Sequence, residues 1–133
     1  YKEKGAIPLF YPSYSKKTNK INIGSAGGMT RLSTGYTFLN IQEHSKFIKN
    51  NIDNIDSLNN YTFGKKYKFL DNIFLRVLKK HPEKMPDLFF NMFMSPSNAV
   101  IKFLSNKSNI FEDILIILKM PKWIFIKALF KYD

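Results

Sequence analysis

The fold of this chain is decided by the stretch Asn22-Ile-Gly-Ser-Ala-Gly-Gly-Met-Thr-Arg-Leu-Ser-Thr-Gly-Tyr-Thr-Phe38. A short apolar segment runs here into a glycine cluster and then into a Ser-Thr-Gly turn, which opens an amphipathic helical pattern. Glycine lets a backbone approach a ligand more closely than a Cβ atom allows, and a helix N-terminus offers free N–H groups and a positive dipole end. The stretch is typical of a loop that holds the phosphate or the ring of a cofactor.

Two short strands are expected around the start of this stretch, over Ala6-Ile-Pro-Leu-Phe-Tyr11 and Lys20-Ile-Asn-Ile23. A helix is expected from Thr34, with Ser33 or Thr34 as its cap and an Asn-rich end and loop over residues 50–60. Spacings of three and four residues predict its buried face, formed by Phe38, Ile41, Ser45, Ile48 and Ile52.

Beyond residue 64 the pattern is helical throughout, so we divide the chain into two parts. Residues 1–64 are expected to hold the end of a sheet followed by the strand, loop and helix, and residues 65–133 a helical subdomain. The first helix expected there begins near Tyr67 and is ended by Pro82. The others are expected over Pro86–Met94, Pro96–Leu104, Ile114–Leu118 and Lys122–Tyr132. Ser95 is the expected cap of the helix over Pro96–Leu104, and a capping box of Asn109 and Glu112 precedes the helix over Ile114–Leu118.

The composition restricts the chemistry and the partners. The net charge is +11, which favours nucleic acid, anionic lipid or another acidic partner. Cysteine is absent, so disulfides and cysteine zinc sites are excluded. The two histidines, His44 and His81, are far apart in sequence and are interpreted as surface residues, so no metal site is expected.

The last apolar region, Ile110–Phe130, is interrupted by charged residues and a proline, so it is not expected to span a membrane. Its basic and aromatic residues instead favour an interfacial helix attracted to anionic lipid, with Lys119, Lys122, Lys127 and Lys131 flanking Trp123, Phe125 and Phe130. No signal-peptide pattern is present, and we expect a cytoplasmic protein in peripheral contact with a membrane.

Three elements in the first part of the chain carry a family resemblance: Glu3-Lys-Gly-Ala-Ile-Pro8, Gly24-Ser-Ala-Gly-Gly-Met29 and Ser33-Thr-Gly-Tyr36. Together they resemble the C-terminal part of the lycopene β-cyclase family of carotenoid enzymes. Similar features continue downstream, in Phe69-Leu-Asp-Asn-Ile-Phe-Leu-Arg76, His81-Pro-Glu83, Phe103-Leu104 and Pro121-Lys-Trp123. The resemblance therefore covers nearly the whole chain.

The resemblance implies an α/β parent protein with a Rossmann-type FAD-binding fold, whose dinucleotide fingerprint lies in an N-terminal remainder. This chain would be its mostly α-helical C-terminal part. The implied reaction is an isomerisation, formally that of an intramolecular lyase, which closes the ψ ends of lycopene into β-ionone rings. Reduced FAD would stabilise the cationic transition state, and NAD(P)H would keep the flavin reduced.

The resemblance also implies the site residues. The cofactor would lie against Gly24, Ala26, Gly27, Gly28, Thr34, Gly35 and Tyr36, although Tyr36 is equally well interpreted as a packing residue. Met29 and Arg31 would border the substrate cavity. Two departures from the family pattern are Ser25, where related flavoproteins carry Asp, and Arg31-Leu32, where many cyclases carry His-Pro. The second departure removes a constraint on φ.

No catalytic acid is expected in this chain, because the resemblance places the family's acidic motif upstream of it. The fragment alone would therefore be inactive. The carboxylates of the chain all have sequence contexts of helix caps or solvent-facing charges, at Glu43, Asp71, Glu83, Asp87, Glu112 and Asp113.

Two other interpretations stay open. Another FAD-dependent isoprenoid-modifying flavoprotein, such as a polyprenyl reductase or a halogenase, would be favoured by an Asp after Gly24, where this sequence has Ser25. A non-enzymatic basic helical module that binds membranes or RNA would explain the charge but not the glycine cluster. Its aromatic residues are spaced as in a core rather than for base stacking, so we expect no nucleic acid as a partner. The partner that the family resemblance implies is lycopene.

Overall fold

Helices make up most of the protein in its computed structural model, which describes Lys2, Lys4, Tyr11, residues 21–54, Leu58 and residues 61–130. The chain divides into two compact units, Tyr1–Thr62 and Phe63–Asp133. The prediction of a mostly helical chain is confirmed for the described residues. None of their helices is long and apolar enough to cross a membrane.

The expected strands are not seen. Residues 21–23 are irregular, although Ile23 has extended dihedral angles, with φ −116° and ψ 165°. An extended segment becomes a strand when a neighbour exchanges backbone hydrogen bonds with it, and no described residue pairs with this one in that way. The strand expected over 6–11 lies outside the described residues except for Tyr11, which is irregular.

The first unit contains helix α1, Phe38–Asn50, which begins four residues later than predicted. Its N-cap is Thr37 instead of Ser33 or Thr34. The delay has a local cause, because Gly35 has φ +70° and a left-handed residue interrupts a right-handed helix. The end of the helix at Asn50 agrees with the prediction.

The buried face of α1 also differs from the predicted one. Asn40 and His44 are buried, whereas Phe38, Ser45 and Ile52 are exposed. His44 stacks on Tyr61, with ring centroids 5.0 Å apart, and lies beneath the glycine cluster. The tertiary contacts of His44 therefore decide the rotation of the helix.

The second unit is built from helices at the predicted places. They are α2 (Lys65–Lys80), α3 (Met85–Phe93), α4 (Ser97–Leu104), α5 (Ile110–Lys119) and α6 (Lys122–Phe130), with a 3₁₀ turn at Pro82–Lys84. The helix predicted over Ile114–Leu118 is longer at both ends, and the predicted end of the last helix, at residues 131 and 132, lies outside the described residues. The predicted capping box of α5 is formed. Asn109 Oδ1 accepts from the Glu112 N–H at 2.9 Å, and the Asn109 N–H donates to Glu112 Oε2 at 2.8 Å.

The cap predicted at Ser95 is wrong. Pro96 is the N-cap of α4, and Ser95 Oγ is buried without a hydrogen bond to any described residue. The Ser95 N–H donates to the Met92 carbonyl at 3.1 Å. Ser95 therefore closes the end of α3 instead of capping the start of α4.

Two apolar clusters hold the second unit together. One joins α2, α3 and α6 through Ile73, Phe74, Val77, Met85, Leu88 and Ala128, and the other joins α3, α4 and α5 through Met92, Ala99 and Ile116. Phe89 and Met120 pack against both clusters. Helices α3 to α6 have only 8 to 10 residues each, too few for isolated stability, so this packing is what keeps them helical.

A polar network joins the start of α2 to the start of α5. Lys66 Nζ donates to Asp113 Oδ2 and to the Ser108 carbonyl, each at 2.7 Å, and Ser108 Oγ donates to Asp113 Oδ1 at 2.6 Å. Tyr67 Oη donates to the Ser108 carbonyl at 3.1 Å. Burial by itself would lower the pKa of Lys66, but its hydrogen bonds to Asp113 and Tyr67 raise the pKa overall.

The network corrects one expectation from the sequence. Asp113 was expected to be a cap or solvent-facing charge, yet it is buried with its carboxylate fully engaged. Asp71, for which the same was expected, is also buried within α2. Both positions face the inside of the unit because their helices pack there.

A Lys66→Met substitution should lower the free energy of unfolding by about 2 kcal/mol, because Asp113 stays buried but loses its cationic partner. Urea unfolding followed by far-UV circular dichroism measures the change. Lys46→Met is the matched control, since Lys46 contacts Glu43 at 3.2 Å on the surface and such pairs contribute at most about 1 kcal/mol. Equal losses in the two variants would contradict a structural role for the network.

Candidate functional site

The glycine loop, Gly24 to Gly28, is a tight turn closed by its own backbone. Gly24 and Gly28 have φ values of +61° and +72°, which side chains with a Cβ atom rarely adopt. Three N–H groups donate to carbonyls in or next to the loop at 3.0–3.1 Å, Gly27 to Ile23, Gly28 to Ser25 and Met29 to Gly24. These amides are therefore not available to a ligand.

Gly27 is required by the protein's own backbone. A Cβ atom at this position would lie 2.5 Å from the carbonyl oxygen of Asn22 and 3.5 Å from Cε1 of His44. The first distance is far below van der Waals contact, and a backbone carbonyl cannot turn aside as a side chain can. A close approach at this glycine is thus observed to the backbone of Asn22.

A second turn follows the loop and contains the Thr-Gly-Tyr sequence. The Gly35 N–H donates to the Arg31 carbonyl at 2.8 Å, and the Arg31 N–H donates to the Tyr36 carbonyl at 2.9 Å. The Tyr36 N–H donates to Thr34 Oγ1 at 3.3 Å. Gly35 is exposed, and no described residue other than its chain neighbours lies within 4 Å of where its Cβ would be. The turn therefore presents an open backbone surface.

A buried hydroxyl joins the glycine loop to the start of α1. Thr30 is 4% exposed, and its Oγ1 lies 3.2 Å from Ser25 Oγ and 3.3 Å from Thr37 Oγ1. Ser25 belongs to the loop and Thr37 is the N-cap of α1. The hydroxyl of Thr30 thus links the glycine loop to the start of α1 within the first unit.

The start of α1 has no side-chain cap. Thr37 Oγ1 donates to the Gly35 carbonyl at 3.0 Å and makes no capping hydrogen bond to the helix. The first-turn amides of a helix need an acceptor from outside the helix when the cap side chain does not provide one. A phosphate or another anionic oxygen is the ligand chemistry that suits such an end.

The structure brings the predicted cofactor residues together on this loop, turn and helix start. Their exposure differs, with Ala26 and Gly35 exposed, Gly24, Gly28, Thr34 and Tyr36 half-buried, and Gly27 buried. The predicted cavity residues Met29 and Arg31 are buried at 2% and 0% exposure. The outward surface therefore consists of small residues and backbone, and the two larger side chains lie behind it.

The sequence reasoning missed two residues of the site, Thr30 and His44. Thr30 lies between a methionine and an arginine and has no distinctive pattern. His44 lies three residues after Ile41 and four before Ile48, a helical spacing that would have marked it as part of the buried face. Within the described residues, no group of three or more His, Asp or Glu side chains is placed to hold a metal ion.

Gly27→Ala and Gly35→Ala should destabilise the first unit to different extents. The first substitution adds a steric clash with Asn22, whereas the second adds only backbone strain. We expect Gly27→Ala to destabilise the first unit by about 2–3 kcal/mol and Gly35→Ala by about 1 kcal/mol. Amide hydrogen exchange over residues 24–37 measures the difference. A larger loss of protection in Gly35→Ala would contradict the assigned contact with Asn22.

The first unit should lose stability as the pH falls below about 6.5. Burial lowers the pKa of His44 from its ordinary value of 6.5, so the folded ring stays neutral while the unfolded chain takes up a proton. The contribution of the neutral His44 ring to the free energy of unfolding is therefore complete above about pH 6.5 and is lost as the pH falls below it. Amide exchange as a function of pH measures the slope, which His44→Gln should flatten. His81→Gln, which changes a half-exposed ring in the other unit, should retain the slope.

Comparison with known proteins identifies the family. A family model described as lycopene cyclase protein matches residues 1–129, which include the glycine loop, the Thr-Gly-Tyr turn and the helices of the second unit. No curated protein and no solved structure matches the chain. Because the match spans nearly the whole chain, we conclude that it belongs to the lycopene cyclase family.

Proposed function

We propose that this chain is the C-terminal part of a lycopene β-cyclase, which closes the ψ ends of lycopene into β-ionone rings. The observation that carries the proposal is the family match over residues 1–129. Membership of this family supports a role in carotenoid cyclisation, and the proposal adds the specific substrate and ring. The complete protein would have a Rossmann-type fold, to which this chain adds the glycine loop and the helical unit.

The proposed reaction conserves atoms and electrons. A proton adds to the terminal alkene of lycopene, a carbon–carbon bond closes the ring, and a proton is lost from the resulting cation. The general acid for the first step must be protonated at neutral pH. Hydrogen bonds from Lys102 and from the Asn109 N–H lower the pKa of Glu112, so this carboxylate does not suit the task, and the carboxylate of Asp113 is already engaged in an ion pair with Lys66. We propose that the acid lies in the N-terminal remainder.

The first unit fits a role in binding FAD. Its outward surface has no bulky side chain at Ala26 or Gly35, and the start of α1, which has no side-chain cap, would donate backbone hydrogen bonds to a phosphate or another anionic oxygen. Gly24, Gly27, Gly28 and Thr34 would shape the loop and the turn, and Tyr36 would border them. Bound reduced FAD would place negative charge near the developing cation, with NAD(P)H as the reductant.

We propose that Met29 and Arg31, which are both buried in the first unit, border the substrate cavity of the complete protein. Met29 is apolar, polarizable and packed inside the first unit, so it would meet lycopene as part of an internal cavity wall. Arg31 is fully buried and engaged in polar interactions. We propose that Arg31 braces this wall next to Met29.

Expression of the whole protein in a host that accumulates lycopene should convert the red pigment to β-carotene or γ-carotene. Pigments are separated by chromatography and identified by their absorption spectra. Unchanged lycopene in the presence of folded, flavin-loaded protein would contradict the proposal.

The same host tests the cofactor surface with a matched pair of variants. Ala26→Phe adds a ring to the exposed loop without touching its internal hydrogen bonds, so it should remove bound flavin and cyclisation together. Ser45→Phe adds the same ring to an exposed position of α1 and should retain both. Flavin absorbance of the purified proteins is the readout, and a flavin-loaded Ala26→Phe protein would place the cofactor elsewhere.

A further inference from the structure

Helix α5 is apolar on the side that faces away from the second unit. Its buried side is formed by Asp113 and Ile116, which pack against the other helices. On the opposite side lie five exposed apolar residues at helical spacing, which we call the α5 stripe: Ile110, Phe111, Ile114, Leu115 and Leu118. Phe111 alone is 81% exposed. No charged residue interrupts the stripe.

Positive charge and an exposed indole lie where the stripe ends. Only Met120 and Pro121 separate α5 from α6, so Lys119, Lys122 and Trp123 share this junction with Leu118. Both lysines are exposed, and neither forms an ion pair with a described residue. Trp123 is 76% exposed.

We infer that the α5 stripe and its junction form a surface that docks onto an anionic lipid bilayer. A helix of 10 residues is about 15 Å long, half the thickness of the hydrocarbon region, so it would lie in the plane of the interface. The stripe would enter the acyl boundary while the two ammonium groups reach lipid phosphates on flexible stems.

The side chains at the junction favour lipid over a protein partner. Lysine is depleted from the buried centre of protein interfaces, because its ammonium group is costly to desolvate. At a bilayer surface the same group keeps its water and gains the attraction of anionic headgroups. Tryptophan next to lysine is the combination that the membrane interface accommodates best. The overall charge of +11 acts in the same direction.

The structure keeps Lys119, Lys122 and Trp123, which the composition singles out, and adds the α5 stripe to them. Leu88 and Met92 of the apolar α3 sequence are core residues with 0% and 1% exposure. Phe125 of α6 is half-buried against the first apolar cluster. The inference goes beyond the proposed cyclase activity, because vesicle binding and pigment conversion are measured independently.

Trp123 is the only tryptophan of the 133-residue chain and serves as the reporter. Vesicles with roughly one-third phosphatidylglycerol in phosphatidylcholine should shift its emission to the blue and carry the protein upward in flotation. Pure phosphatidylcholine vesicles should bind it far more weakly, and added salt should release it from the anionic vesicles. An unchanged emission spectrum, or equal binding to both vesicle types, would overturn the inference.

Two double variants separate the apolar and the electrostatic contributions. Phe111→Ser with Leu115→Ser should abolish flotation, whereas Phe38→Ser with Ile52→Ser, at exposed positions of the first unit, should not. Lys119→Gln with Lys122→Gln should lower the partition coefficient about thirtyfold, since each lysine near the surface contributes about fivefold. Lys46→Gln with Lys49→Gln removes the same charge from the first unit and should have little effect.

A protein occupant predicts another result. If the stripe binds a second copy, sedimentation without lipid will show a dimer that Phe111→Ser with Leu115→Ser converts to a monomer. If it binds the rest of the same protein, the whole protein will not float with anionic vesicles. Either result overturns lipid docking. Far-UV circular dichroism confirms that the exposed substitutions leave the helices formed.

Discussion

The contact between Gly27 and the carbonyl of Asn22 is the constraint on which the first unit depends. Only hydrogen fits at the Cα of residue 27, because a Cβ atom would lie 2.5 Å from that oxygen. The resulting fold of the loop lets Thr30 lie between Ser25 and Thr37, and it leaves room below for the ring of His44. Gly27, which we propose as part of a cofactor-binding loop, is thus first a requirement of the protein's own backbone.

The second unit depends on cooperation among helices too short to persist alone. Phe89 and Met120 belong to both apolar clusters, and the Lys66–Asp113 pair joins α2 to α5. These contacts involve the inner side of α5 and leave the residues of its outer side exposed among the described parts of the chain. A contiguous exposed apolar surface normally marks an interaction site. The stability of the unit and its proposed docking surface therefore arise from the same helix.

Two carboxylates of the second unit, those of Asp113 and Glu112, have structural partners within the unit. Asp113 and Glu112 are both engaged by lysines, and hydrogen bonds to Glu112 lower its pKa. Glu112 is therefore suited to fixing its helix and not to donating a proton at neutral pH, and Asp113 joins α5 to α2. The family membership and the open loop surface instead support a contribution to ligand binding. Catalysis and binding would then lie in different parts of one protein.

The sequence by itself determined the helices of the second unit and the capping box of Asn109 and Glu112, because periodicity and caps act over a few neighbouring residues. The family resemblance was likewise readable from the loop and turn motifs. The features that depend on contacts between residues distant in sequence, such as strand pairing and the buried face of α1, were decided by the tertiary structure. Residues 21–23 are not a strand because no described residue pairs with them, and His44 rather than Ser45 is buried because of Gly27 and Tyr61. The α5 stripe is exposed because the other helices pack against the opposite side, which contains Asp113 and which the sequence pattern alone would not mark as buried.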